Sequence, residues 1–215
     1  MSEDVNFLLR GGPVMWPLFF CGVISVAVMI ERFLAIGAAV RDNEALMTRI
    51  SALLKSGQAA AALEFCEQSP GRIAKVVAGG LRSTHLAHVW IERSMEEMAL
   101  KELPVLYDRL GVLDTIVTLA PLLGLLGTVT GMIHAFHVVG STAGLGNPNA
   151  ITSGVSEALV ATSVGLTIAI VTLPAYNFLT GRVKENISEM ELRAAQFLNV
   201  IAAMKYGETH EAAAR

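Results

Sequence analysis

Charge is nearly missing from one third of this chain. Between Asp114 and Arg182 a single Asp, Glu, Lys or Arg occurs, Glu157, across two consecutive apolar segments. Charged residues make up 16% of the 215 residues, apolar types 53%, and the mean hydropathy is +0.54. That balance excludes an ordinary soluble domain and points to an all-α integral membrane protein. Cysteine is also scarce: Cys21 sits in an apolar run and Cys66 in a polar region, with no spacing that suggests a bridge or a zinc site. No basic leader precedes the first apolar run, which passes through Glu31-Arg32 without a small-residue cleavage pattern and so reads as a retained anchor. Net charge is -3 and the basic residues form no stripe, so a nucleic-acid partner is not expected. A Walker-type glycine loop, Gly-x-Ser-x-Gly and His-Glu-x-x-His are all absent, which argues against an enzyme.

What is present is organised by long apolar runs. Residues 1–13 read as an interfacial segment, amphipathic and closed by Gly11-Gly12-Pro13. Residues 14–40 form a first span; its apolar part, Val14 to Ala39, would rise about 39 Å as a helix, so the Glu31-Arg32 end should emerge into the headgroups. Residues 41–113 change to a helical domain with recurring charge, broken at Ser69-Pro70-Gly71, Gly79-Gly80 and Pro104. A second span covers 114–136, a Gly-, Asn-, Ser- and Thr-rich loop 137–153, and a third span 154–180, ended by Gly181 and Arg182. Residues 181–215 resume an amphipathic helix and finish in a tail expected to fray.

Orientation follows from the basic residues. Arg41, Arg49, Lys55, Arg72, Lys75, Arg82, Arg93, Lys101 and Arg109 fall in the helical domain, none falls in the 137–153 loop, and the N-terminal segment has only Arg10. The positive-inside rule then places the helical domain and C-terminus in the cytoplasm and the N-terminus and the loop outside.

An intramembrane carboxylate is a functional candidate by default. Glu157 lies three residues into the third span, about 4 to 5 Å below its outer edge, and Thr128 and Thr162 both fall about 12 Å down, at one level near the midplane. Thr130, Ser163 and Thr167 add further hydroxyls. Gly124, Gly127 and Gly131 in the second span, and Gly154, Ala158, Ala161, Gly165 and Ala169 in the third, provide small-residue faces for close helix packing. Three helices have too little interior to hide these polar groups, so a homo-oligomer with spans two and three around a common lumen is expected. The bland alternatives are that each hydroxyl bonds its own helix and that Glu157 makes a structural ion pair with Arg10 or with a cation of a partner. The pairs His85-x-x-His88 and His134-x-x-His137 lack a third ligand, so no metal and no cofactor is expected.

The stretches RLGVLDTIVTLAP at 109–121, APLLGLLGTVTGMIHAF at 120–136, and GVSEALVATSVGLTIAI with AYN at 154–177 resemble the MotA/TolQ/ExbB proton-channel family, in particular its ExbB and TolQ branch. The resemblance implies a pentamer of such subunits in the bacterial inner membrane around two copies of a small single-span partner of ExbD/TolR type, whose helix carries an aspartate. Proton passage would then do work on a periplasm-spanning protein of TonB or TolA type, for outer-membrane transport or, in the TolQ-like case, for envelope maintenance or motility. It also implies that Thr128 and Thr162 are pore threonines and Glu157 the third-span glutamate. Many relatives have an aromatic residue where Thr130 stands. From the residues alone a passive membrane scaffold is the competing reading.

Overall fold

A computed structural model describes residues 12–37, 43–141 and 148–213. The remainder lies outside it, which includes nearly all of the N-terminal interfacial segment with Arg10 and the centre of the 137–153 loop. The described residues are helical with short connections, and no strand occurs among them. The helices are α1 (Met15–Gly37), α2 (Asn43–Lys55), α3 (Ala59–Gln68), α4 (Arg72–Arg82), α5 (His88–Tyr107), α6 (Leu110–Ser141) and α7 (Pro148–Ala213).

Three stretches are long and apolar enough to cross a membrane, one within each of Met15–Ala35, His88–Val138 and Thr152–Lys205. Only 28% of the most apolar window of each is buried by the chain itself, so most of these faces are left for lipid or for neighbouring protein. The protein is therefore an all-α membrane protein with three candidate spans.

The chain divides into two compact units, Met1–Phe33 with Arg109–Leu179 and Leu34–Asp108 with Thr180–Arg215. In the first, α1 packs on α6 and α7 through Val14, Met15, Leu18, Ile116, Ala120 and Ala161. Its outward surface carries Trp16, Phe20, Leu122, Ile133, Phe136, Leu159 and Ile170, all more than half exposed. At one end of this unit Glu31 of α1 forms ion pairs with Arg32 (3.2 Å) and with Arg109, which adopts a left-handed backbone conformation (φ 57°) immediately before α6. The Phe33 and Phe178 rings stack there at 5.4 Å.

In the second unit α4 is the central element: eight of its eleven residues, Ile73, Ala74 and Val76 to Leu81, are buried. The Ser94 hydroxyl of α5 donates to the Gly79 carbonyl (3.0 Å), and Gly80 meets Met95 of α5 and the Phe197 ring of α7. Glu102, buried on α5, accepts from Lys75 (2.7 Å) beside Arg72 (3.9 Å).

Several expected boundaries move. Ser69-Pro70-Gly71 does separate α3 from α4, with Gly71 in a backbone conformation open only to glycine (φ 152°). Gly79-Gly80 is no break: it lies inside α4, where a Cβ on either residue would press within 3 Å of a methionine side chain, so the glycines are notches for helix packing. Pro104 lies inside α5 and does not end it. The loop expected at 137–153 is narrower, since α6 continues to Ser141 and α7 begins at Pro148. The helix does not stop where the third span was expected to end at Gly181: α7 runs on to Ala213, supported locally by the Arg182–Glu185 pair (2.8 Å) and the Asn186 amide donating to the Arg182 carbonyl (2.7 Å).

Candidate functional site

The site is built on the antiparallel contact of α6 with α7. Gly131 faces Ala158, Gly127 faces Ala161, Gly124 faces Thr162, Ala120 faces Gly165 and Ala135 faces Gly154. A Cβ at Gly165 would stand 2.5 Å from the Ala120 carbonyl oxygen and one at Gly124 3.0 Å from the Thr162 Cα, so here the two backbones approach as closely as glycine allows. Small residues recur three and four apart on both helices, which is why the sequence produces one straight seam.

Close approach lets a side chain cross the seam. The Thr162 hydroxyl donates to the Gly124 carbonyl across the helix pair (2.8 Å), a contact open to it because Gly124 has no side chain. The Thr128 hydroxyl donates to the Leu125 carbonyl of its own helix (2.7 Å), and that of Thr130 to the Leu126 carbonyl (2.9 Å), with the Gly127 carbonyl at 3.2 Å. Thr167 donates to the Ser163 carbonyl (2.8 Å), and Ser163 itself is exposed. Thr172, fully buried, donates to the Ile168 carbonyl (2.7 Å). With its O–H directed at a carbonyl, each of these hydroxyls keeps acceptor lone pairs, so it can accept a hydrogen bond but must rotate before it can donate one elsewhere.

Thr128 follows Gly127, which faces Ala161, so Thr128 and Thr162 lie within about one helical turn, ~5 Å, along the seam. Glu157 is half-buried and turns elsewhere: its carboxylate lies against the backbone of Gly12, just before α1. The five residues expected to line a pathway do not form one cluster within the chain. Glu157 faces the start of α1, Thr162 faces α6, and Thr130 and Ser163 face outward. The proximity of Gly12 to Glu157 and the Glu31–Arg109 pair were not legible in the sequence, since each joins residues far apart in the chain. The one available signal for the latter was the presence of opposite charges at neighbouring span ends.

His134 and His137 are exposed on α6, and no group of three or more His, Cys, Asp or Glu that could hold a metal comes together among the described residues.

Fold and site together define an all-helical membrane protein in which one acid is held beside a seam of small residues and hydroxyls. Residues 68–192 match the MotA/TolQ/ExbB proton channel family. The chain is 34% identical over 191 residues to the biopolymer transport protein ExbB of Aquifex aeolicus, covering 89% of this chain and 93% of that one. It is 28% identical over 183 residues to a putative biopolymer transport protein ExbB homolog of Methanothermobacter thermautotrophicus, covering 85% of this chain and 64% of that protein. Over 116 residues it is 32% identical to the Tol-Pal system protein TolQ of Haemophilus influenzae, covering 54% and 50%. The chain belongs to the MotA/TolQ/ExbB proton channel family, on its ExbB/TolQ branch.

Proposed function

We propose that this chain is the larger subunit of a proton-driven energising complex of the bacterial inner membrane, with its N-terminus periplasmic and its C-terminus cytoplasmic. The reading is carried by Glu157, the one formally charged side chain between Asp114 and Arg182. Five copies surround a lumen lined by α6 and α7, and two copies of a small single-span partner of ExbD/TolR type occupy it. The protein acts without a cofactor and catalyses no covalent reaction.

The chemistry requires the partner. Threonine hydroxyls pass a proton along hydrogen-bonded water but cannot hold it as a charge, and Glu157 stands near the outer mouth rather than the midplane. A second carboxylate, inserted on the partner's helix, supplies a central titratable group. Its charge is tolerated in a wet position and neutralised in a dry one, so protonation is coupled to displacement. A membrane potential contributes about 2.3 kcal/mol per charge per 100 mV, enough to bias each step. The motion is passed to a periplasm-spanning protein of TonB or TolA type and serves outer-membrane transport.

A passive scaffold is the second reading, favoured by one observation: Thr162 already has a structural partner in the Gly124 carbonyl. Glu157→Gln separates the two, because glutamine keeps shape and hydrogen bonding but carries no proton. Energy coupling in cells should be abolished in Glu157→Gln and Glu157→Ala while the complex assembles at wild-type amounts. Wild-type coupling in Glu157→Gln would favour the scaffold.

A further inference from the structure

We propose that Gly12 is a positioning residue for Glu157, holding the carboxylate at the start of α1; the inference rests on the proton-handling reading of Glu157 given above. Two independent constraints meet at Gly12. Its backbone is left-handed (φ 71°), a conformation that L side chains rarely adopt. The position a Cβ would take is already filled by the Glu157 carboxylate, whose Oε1 overlaps it, with Cδ 3.1 Å and Cγ 3.5 Å away.

The surroundings fix this geometry from both sides. After Gly12 the chain enters α1 through Pro13, and the Met15 N–H donates to the Gly12 carbonyl (3.1 Å), so the turn is tied to the helix. Val14, Met15 and Leu18 are buried against Ile116, Ala120 and Ala161, which seats the start of α1 on α6 and α7. On the other side Ala158, the neighbour of Glu157, is buried against Gly131 of α6, which seats the α7 backbone beside the start of α1. Any side chain at position 12 must therefore displace the carboxylate or unseat the start of α1. Gly12 thus leaves the space that Glu157 occupies and sets where its proton is taken up and released.

Gly57 provides an internal control. It has nearly the same backbone conformation (φ 76°) with nothing within 4 Å of its added Cβ, so Gly57→Ala carries the backbone strain without displacing anything. The test uses the full complex in cells and measures both energy coupling and the amount assembled. Gly12→Ala should lower coupling by about tenfold or more, as misplacement of a reacting group does, while Gly57→Ala leaves it unchanged. Glu157→Asp withdraws the carboxylate by one methylene and so vacates the space beside Gly12. Glu157→Asp itself lowers coupling by moving the carboxylate, so Gly12→Ala is judged against the coupling that remains and against the thermal unfolding midpoint of the purified complex. Beyond the strain that Gly57→Ala also carries, it should change the remaining coupling by less than about twofold and lower the midpoint less than with Glu157 intact, since a residue acting only through Glu157 has nothing left to displace. If Gly12→Ala instead reduces assembly, the same comparison applies to assembly, and the aspartate should restore it. Wild-type coupling in Gly12→Ala, or an equal penalty with Glu157 intact and in the Glu157→Asp background, would overturn the inference. Glu157→Gln read alongside keeps the two claims apart: its inactivity with a harmless Gly12→Ala removes only the positioning role.

Discussion

The two units of the chain both use glycine at helix contacts, for opposite reasons. Along the α6–α7 seam the glycines bring backbone against backbone: Gly165 faces the Ala120 carbonyl and Gly124 the Thr162 Cα, and a hydroxyl-to-carbonyl bond crosses between the helices. In the second unit Gly79 and Gly80 make room for large side chains, those of Met98, Met95 and Phe197. The difference fits the expectation that the first unit lies in lipid and the second in water. Lipid tails are as apolar as leucine, so helices in a membrane gain little by hiding large apolar groups from them and rely on close contact and hydrogen bonds. In water, burial of methionine and phenylalanine is itself the driving force. One residue type therefore makes a rigid seam in one unit and an adaptable notch in the other.

The largest expected effect is at the rigid seam. Gly165→Ala places a methyl group against a backbone oxygen that cannot move without its helix, and should cost about 3 kcal/mol, the top of the overpacking range. The midpoint of thermal unfolding in detergent checks this, with Gly181→Ala as the contrast. Nothing lies near a Cβ at Gly181, so that change should be stabilising by up to about 1 kcal/mol. Equal behaviour of the two variants would erase the distinction between seam and open helix.

Thiol chemistry probes the dryness of the second unit. Cys66 is buried, and burial, with a smaller contribution from Glu67, pushes its thiol up to about 11. Since only the thiolate reacts, alkylation at pH 8 should be about a hundredfold slower than for an ordinary free thiol, rising as the pH approaches 11 and becoming fast on denaturation. Rapid native labelling at pH 8 would show a loosely packed unit.

Smaller effects follow from the notch and the crossing bond. Gly80→Ala meets the flexible end of Met95 and the edge of Phe197, and should cost about 1 to 2 kcal/mol in thermal stability, less than Gly165→Ala because methionine yields. Thr162→Val removes the bond to the Gly124 carbonyl at nearly constant shape and should cost about 0.6 to 1.7 kcal/mol, whereas Thr162→Ser retains it. A larger loss in Thr162→Val than in Gly165→Ala would mean that the hydrogen bond, not close packing, holds the seam.

The same contrast explains what could be read from the residues. The three spans and the small faces of α6 and α7 were legible because an absence of charge and a recurrence of small residues are local, periodic signals. Gly79-Gly80 looked like a break because a packing notch and a helix end use the same residue, and only the Met95, Met98 and Phe197 neighbours tell them apart. The 137–153 loop was drawn too long because its Gly, Asn and Ser content outweighed the helical continuation through Val138 and Val139. Glu157 could be singled out by being alone, but its resting place could not, since Gly12 is distant in sequence and its own signal was merely that of a turn.

The most direct measurement is potential-driven proton uptake into vesicles holding this chain together with the single-span partner of ExbD/TolR type proposed above, compared between the complex with native Glu157 and Glu157→Gln. A flux that follows the imposed potential in the native complex and is lost in the variant, at equal amounts of assembled protein, is the predicted result. Equal flux in both would mean that Glu157 does not handle the proton, and the account built on it would be wrong.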